Sequence, residues 1–122
     1  MTEELNQQKS FLKWEESAAV LQADAKQGIA RAQRLLSTRY LRGRGVPKDE
    51  GIAFYWMQLA AQQNYATAQR SLGELYENGS GIMLDITIAS HWYGLAALQG
   101  DSIAQKHLQR LAQASPLSKN SS

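Results

Sequence analysis

The sequence predicts an all-α protein, a stack of about two and a half helix-pair repeats of 36 residues behind a single N-terminal helix. Three observations predict it. Shifted by 36 residues, segment 28–63 matches segment 64–99 at 16 of 36 positions without a gap. The matches include the pairs Ala32/Ala68, Gln33/Gln69, Arg34/Arg70, Leu36/Leu72, Tyr40/Tyr76, Gly43/Gly79, Gly45/Gly81, Asp49/Asp85, Trp56/Trp92 and Gln63/Gln99. Within a copy the apolar residues keep helical time: Ala68, Leu72, Leu75 and Tyr76 stand at i, i+4, i+7 and i+8. Between the periodic runs lie glycine-rich breaks, where glycine lets the chain turn.

A chain of 122 residues makes one domain, and 43% hydrophobic with 20% charged residues is the balance of a folded protein. No cysteine is present, which excludes disulfides, a thiol nucleophile and a thiolate zinc site. No apolar run approaches the ~18 residues of a membrane span, and Met1 to Lys9 lack the basic-then-apolar order of a secretory signal. The expectation is a cytoplasmic protein without membrane insertion, a monomer or weak dimer.

Each element follows in order. Residues 1–7 read as a flexible N-terminus and 8–27 as the first helix of a single domain over 8–114. The first repeat, 28–63, holds helices near 29–42 and 49–63; the second, 64–99, holds helices near 65–78 and 85–99. In both, an aspartate, Asp49 or Asp85, stands where a side chain caps the second helix. A half-repeat over 100–114 adds a last helix near 101–114, with Ala104, Gln105, Leu108 and Leu111 in the places of Ala68, Gln69, Leu72 and Leu75. The polar, proline-broken stretch 115–122 reads as a disordered tail. No repeat buries its apolar face alone, so stability is shared between neighbours.

The recurring string is Ala-x-Ala-Gln-x-x-Leu-Gly-x-Leu-Tyr-x-x-Gly-x-Gly-Ile/Val, then Asp, then Ala-x-x-Trp-x-x-x-Ala-Ala-x-Gln-Gly; 66–100 carries nearly all of it and 28–64 most. It resembles the Sel-1-like repeat, a branch of the tetratricopeptide-type helical solenoids. Its signature falls on Tyr40, Gly43, Gly45 and Trp56 in the first copy, and on Leu72, Gly73, Tyr76, Gly79, Gly81 and Trp92 in the second. The resemblance implies a right-handed superhelix whose concave groove holds a protein or peptide, and hence an adaptor, regulator or antidote-type inhibitor. Three positions depart from the pattern: Ser37 replaces the glycine at Gly73, Arg39 fills the slot of Leu75 and Leu111, and Val20 stands where tryptophan belongs.

In such folds the first helix of each pair lines the groove. With Leu72, Gly73 and Tyr76 turned inward, Arg70, Glu74 and Glu77 face it, with Arg31, Arg34 and Arg42 before them and Lys106 and Arg110 after. Arg34, Arg70 and Lys106 then form a cationic row, one charge per repeat, suited to carboxylate or phosphate. The charge distribution gives only the sign of the partner, since a basic segment attracts nucleic acid, acidic lipid headgroups or an acidic protein surface alike. Residues 1–28 are acidic by two, 29–48 hold six cations and no acid, and 49 onward set six carboxylates against four cations. The expected partner is an acidic segment; the alternative is nucleic acid on the basic 31–48 stretch, though few aromatics are placed to stack bases. Trp56, Trp92, Tyr40 and Tyr76 read as core, each tryptophan worth about 3–5 kcal/mol on truncation. Tyr55 and Tyr93 break the repeat register and read as a second choice of partner anchor, on the convex side. His91 and His107 read as ordinary surface residues. No acid–base pair, nucleophile or ligand cluster stands out, so no enzyme, metal or cofactor is expected.

Overall fold

The computed structural model describes residues 2–114, without the side chains of 3–12, 14 and 16; the tail reading for 115–122 lies outside them. Among the described residues six helices follow one another: α1 Thr2–Lys26, α2 Ala30–Arg42, α3 Glu50–Gln62, α4 Ala66–Asn78, α5 Ile86–Leu98 and α6 Ser102–Ala114. Each packs chiefly on its chain neighbours, most extensively within the pairs α2–α3 and α4–α5. That is a solenoid, with neither strand nor closed barrel among the described residues. The five repeat helices begin within one residue of their expected starts. The first does not: α1 runs back to Thr2, through the segment expected to be flexible. Residues 2–9 contain no glycine or proline, and Glu3 and Glu4 suit a helix N-terminus.

Local chemistry sets the helix ends. Asp49 Oδ1 accepts from the Ile52 N–H at 2.9 Å, and Asp85 Oδ1 from Ile88 at 3.0 Å. Asp101 caps α6 alike, through the Ala104 N–H at 2.8 Å. Gly43 and Gly79 end α2 and α4 in the left-handed conformation and return their N–H groups to Arg39 and Leu75. The glycine loops then close on Tyr40 and Tyr76, whose carbonyls accept from the Asp49 and Asp85 N–H groups at 2.9 and 3.0 Å. At Gly81, with φ +74°, an added Cβ would stand 2.1 Å from the Glu50 carbonyl oxygen, so the second loop rests on the start of α3.

The core is built from alanines with a few large side chains. Ala53, Ala60, Ala68, Ala89, Ala96 and Ala104 are fully buried, as are Leu36, Leu72 and Tyr93, with Met57 nearly so. The inward face of α3 is therefore Ala53-Met57-Ala60, and that of α5 is Ala89-Tyr93-Ala96. This corrects two expectations. Trp56 and Trp92 are half-buried and lean on the edges of the clusters, as do Tyr40 and Tyr76, so truncation of either tryptophan falls below the range expected of a core site. Tyr93 is no convex anchor. Its ring lies over Gly73, where a Cβ would meet Tyr93 Cε1 at 2.6 Å. The first repeat solves the same contact differently: Ser37 is buried, donates to the Ala53 carbonyl at 2.6 Å, and has Met57 in the place of Tyr93.

A glutamine ladder that the repeat count contained without explaining ties the copies together. Gln33, Gln69 and Gln105 donate to the carbonyls of Ala25, Ala61 and Ala97 in the last turns of the preceding helices, at 3.1, 3.5 and 3.3 Å. Gln63 and Gln99 donate in turn to the Gln33 and Gln69 side-chain oxygens, both at 2.9 Å.

Candidate functional site

The charged residues expected to line the groove lie on α2, α4 and α6, and the structure separates them into paired and unpaired sets. Arg70 is held twice. Its Nε donates to both oxygens of Asp101 at 3.1 and 3.2 Å, and its Nη1 to Glu74 at 3.1 Å. Burial alone would lower its pKa, but these two carboxylates outweigh burial and raise it. The middle rung of the cationic row is thus neutralised within the chain, by one partner a turn away and another on the next repeat.

Glu77 is also engaged. It accepts from the buried Tyr93 hydroxyl at 2.7 Å and takes a forked ion pair from Arg110, Nη1 to Oε2 at 2.7 Å and Nη2 to Oε1 at 2.8 Å. His107, expected to be an ordinary surface residue, is half-buried beside Tyr93 with ring centroids 4.7 Å apart, and its Nδ1 lies 3.2 Å from Arg110 Nη2. This cluster fastens α6 to the second repeat. Tyr93 is held above the ordinary phenol range by burial and then by Glu77, so its hydroxyl remains a donor. Glu77 is held below the ordinary carboxylate range, first by the Arg110 hydrogen bonds, although burial opposes them.

A depressed carboxylate pKa contributes stability that is full above the unfolded value, about 4.3 for glutamate, and is lost as pH falls through the folded value. Glu77→Gln should therefore lower stability at pH 7 by about 1 kcal/mol, a modest figure because Arg110 is half-exposed and screened. The gap to wild type should narrow as pH falls from 7 towards and through the lowered folded value. Urea midpoints across that pH range check this, and an unchanged gap would refute it.

The α2 cations differ from Arg70. Among the described residues Arg31, Arg34 and Arg42 make no ion pair. Counted at 100° per residue they fall within an arc of about 80°. Arg31 and Arg42 are exposed, whereas Arg34 is half-buried, with its Cζ 5.9 Å from the centre of the Tyr65 ring. Arg39, the intruder in an apolar slot, reaches back to α1 and donates to Ser17 Oγ at 2.7 Å. Burial, then the like charge of Arg44, lowers its pKa. The basic 31–48 stretch is accordingly divided between a contact on α1 and the α2 set. Lys106 on α6 is exposed. Tyr55 is 54% exposed and packs edge-on against Trp56, so it remains available on its helix.

No three histidine or acidic side chains come together as a metal site among the described residues. No described helix is long and apolar enough to cross a membrane. What the helices build is a repeat scaffold with charged and aromatic groups displayed along it. The chain belongs to the Sel1 repeat family: the sequence model of that repeat matches residues 30–65 and 66–101, two residues later than the boundaries read from the sequence. Repeats of this family form a non-catalytic scaffold that binds protein partners.

Several solved structures are similar to it, two of which carry the comparison. A Sel1 repeat protein from Oxalobacter formigenes shares 43% identity over 74% of this chain and 68% of its own, with a TM-score of 0.72. The second is c5321, a protective antigen of uropathogenic Escherichia coli strains displaying an SLR fold. It shares 31% identity over 80% of this chain, with a TM-score of 0.77. This chain spans only 21% of that antigen's length. A search of curated proteins gives no match.

Proposed function

We propose that this protein is a non-enzymatic interaction module, an adaptor, regulator or antidote-type inhibitor, that holds an acidic partner segment in its concave groove in the cytoplasm. The observation that carries this is the unequal neutralisation of the repeats. Arg70 and Arg110 spend their charge on carboxylates of the same chain, while Arg31, Arg34 and Arg42 make no ion pair among the described residues. The expected row of three cations is thereby concentrated on α2, with Lys106 as an outlying contact. An acidic segment crossing α2 meets three cations on one face and gains charge-assisted hydrogen bonds from planar guanidinium groups.

The test is capture from a nuclease-treated lysate of the native cell, read by mass spectrometry. Wild type is compared with Arg31→Glu/Arg34→Glu/Arg42→Glu and, as a control, Arg70→Glu. The expected result is one or a few proteins with acidic segments, retained by wild type and lost by at least tenfold in the α2 variant. Capture indifferent to the α2 reversal would move the site to another face, with Tyr55 next to test. Capture of nuclease-sensitive material alone would replace the proposal by nucleic-acid binding.

A further inference from the structure

Sliding the chain by one repeat brings Arg34 onto Arg70, and the surroundings of the two arginines differ in a specific way. Arg70 is saturated by Asp101 at Nε and by Glu74 at Nη1. In the first repeat Tyr65 stands in the place of Asp101 and Thr38 in the place of Glu74. Tyr65 brings a ring instead of a charge to the guanidinium. Thr38 is too short to return to it, and its hydroxyl donates to the Leu35 carbonyl at 2.6 Å. Arg34 Nε, the counterpart of the atom that Asp101 fills, is shut off from water without a hydrogen-bond partner among the described residues. No carboxylate of the repeat stands over Thr38 where Glu74 meets Arg70 Nη1. A cation has been partly desolvated, walled on one side by an aromatic face, and given neither of the two carboxylates that its counterpart receives.

We infer that Arg34 is the receptor for a single carboxylate of a bound protein segment, an aspartate or glutamate side chain, which takes over Thr38 the position that Glu74 takes beside Arg70. The inference rests on the acidic-segment reading above and names its anchoring contact. The chemistry of the ligand is set by the chain itself, because the second repeat shows which group completes this arginine when one is supplied in cis. A planar carboxylate matches the guanidinium fork. The ring of Tyr65 excludes water from one side, which lowers the local dielectric and strengthens the pair beyond that of an exposed arginine such as Arg31. Arg31 and Arg42 supply attraction along the segment, whereas Arg34 fixes its register.

The experiment follows the arginine side-chain Nε–Hε signals of the full chain by NMR during titration with an N-acetylated, C-amidated hexaglutamate. Wild type is compared with Thr38→Glu and Arg34→Gln, each first checked for an unchanged helical spectrum and melting transition. The Arg34 signal is expected to move saturably while that of Arg70 stays in place. Thr38→Glu, which supplies the carboxylate four residues along as Glu74 does for Arg70, should weaken binding by roughly tenfold, and Arg34→Gln by a similar factor. If hexaglutamate binds with the Arg34 signal unmoved, or binds Thr38→Glu and Arg34→Gln as tightly as wild type, the inference is overturned and the acidic-segment reading survives. If hexaglutamate does not bind while a decathymidylate oligonucleotide does, both fall.

Discussion

Gly81→Ala is expected to destabilise the protein by about 3 kcal/mol, the largest effect of any single methyl group in the fold. Two penalties coincide there. A non-glycine residue at φ +74° is strained by roughly 1–3 kcal/mol. The new Cβ would also stand 2.1 Å from the Glu50 carbonyl oxygen and 3.1 Å from the Gly51 nitrogen. Both are backbone atoms at the start of α3, so no side chain can swing aside, and the loop must lift off the helix. In a domain of this size the melting temperature should fall by on the order of 10 °C. Gly28→Ala is the control, since it shares a positive φ of 90° but would meet nothing within 4 Å. Equal losses at both positions would mean that strain alone acts and that the contact with α3 is unimportant.

Gly73→Ser and Tyr93→Met are each expected to cost about 2 kcal/mol, and together much less than the sum. Serine at 73 drives its Cβ to 2.6 Å from a ring that has no exposed side and whose hydroxyl is held by Glu77. Methionine at 93 removes the ring and the hydrogen bond to Glu77, leaving a partly filled space. Combined, they recreate the pair Ser37 and Met57, whose hydroxyl already finds the Ala53 carbonyl. In repeat two the matching acceptor is the Ala89 carbonyl, 3.1 Å from the position of the added Cβ. A double-mutant cycle by chemical denaturation should yield a favourable coupling of at least ~1 kcal/mol. Simple additivity would show that the two contacts are independent.

Much of this architecture was legible in the chain, and the reason is periodicity. The helices from α2 onward, the Asp49 and Asp85 caps and the glycine loops follow from local patterns stated twice. What escaped the reading depends on contacts between elements. Trp92 and Tyr93 are neighbours on a helix, about 100° apart, and either fits an apolar stripe with Ala89 and Ala96. The choice between them is made by Gly73, twenty residues away on another helix. Likewise the spacing of Arg34, Arg70 and Lys106 gave a row but not its charges. Asp101, which silences Arg70, stands 31 positions along the chain, where it also caps α6. A single sequence-level signal could have exposed the difference: Thr38 and Tyr65 replace both acids of the later copy. The glutamine ladder was visible as identities and mute as chemistry, because its acceptors are backbone carbonyls.

The alternative solutions at Ser37 with Met57 and at Gly73 with Tyr93 bear on how this chain can be rearranged. Each solution joins the first helix of a repeat to the second helix of the same repeat, so the pair travels as one inheritable cassette. A crossover at the 63/64 boundary, which shuffles or duplicates whole cassettes, keeps every such match. A crossover inside a glycine loop mates the helix bearing Ser37 with the helix bearing Tyr93, and the ring meets a Cβ. Genetic exchange between copies is thus filtered by packing: lengthening by whole units keeps every match, and splicing within a unit costs stability.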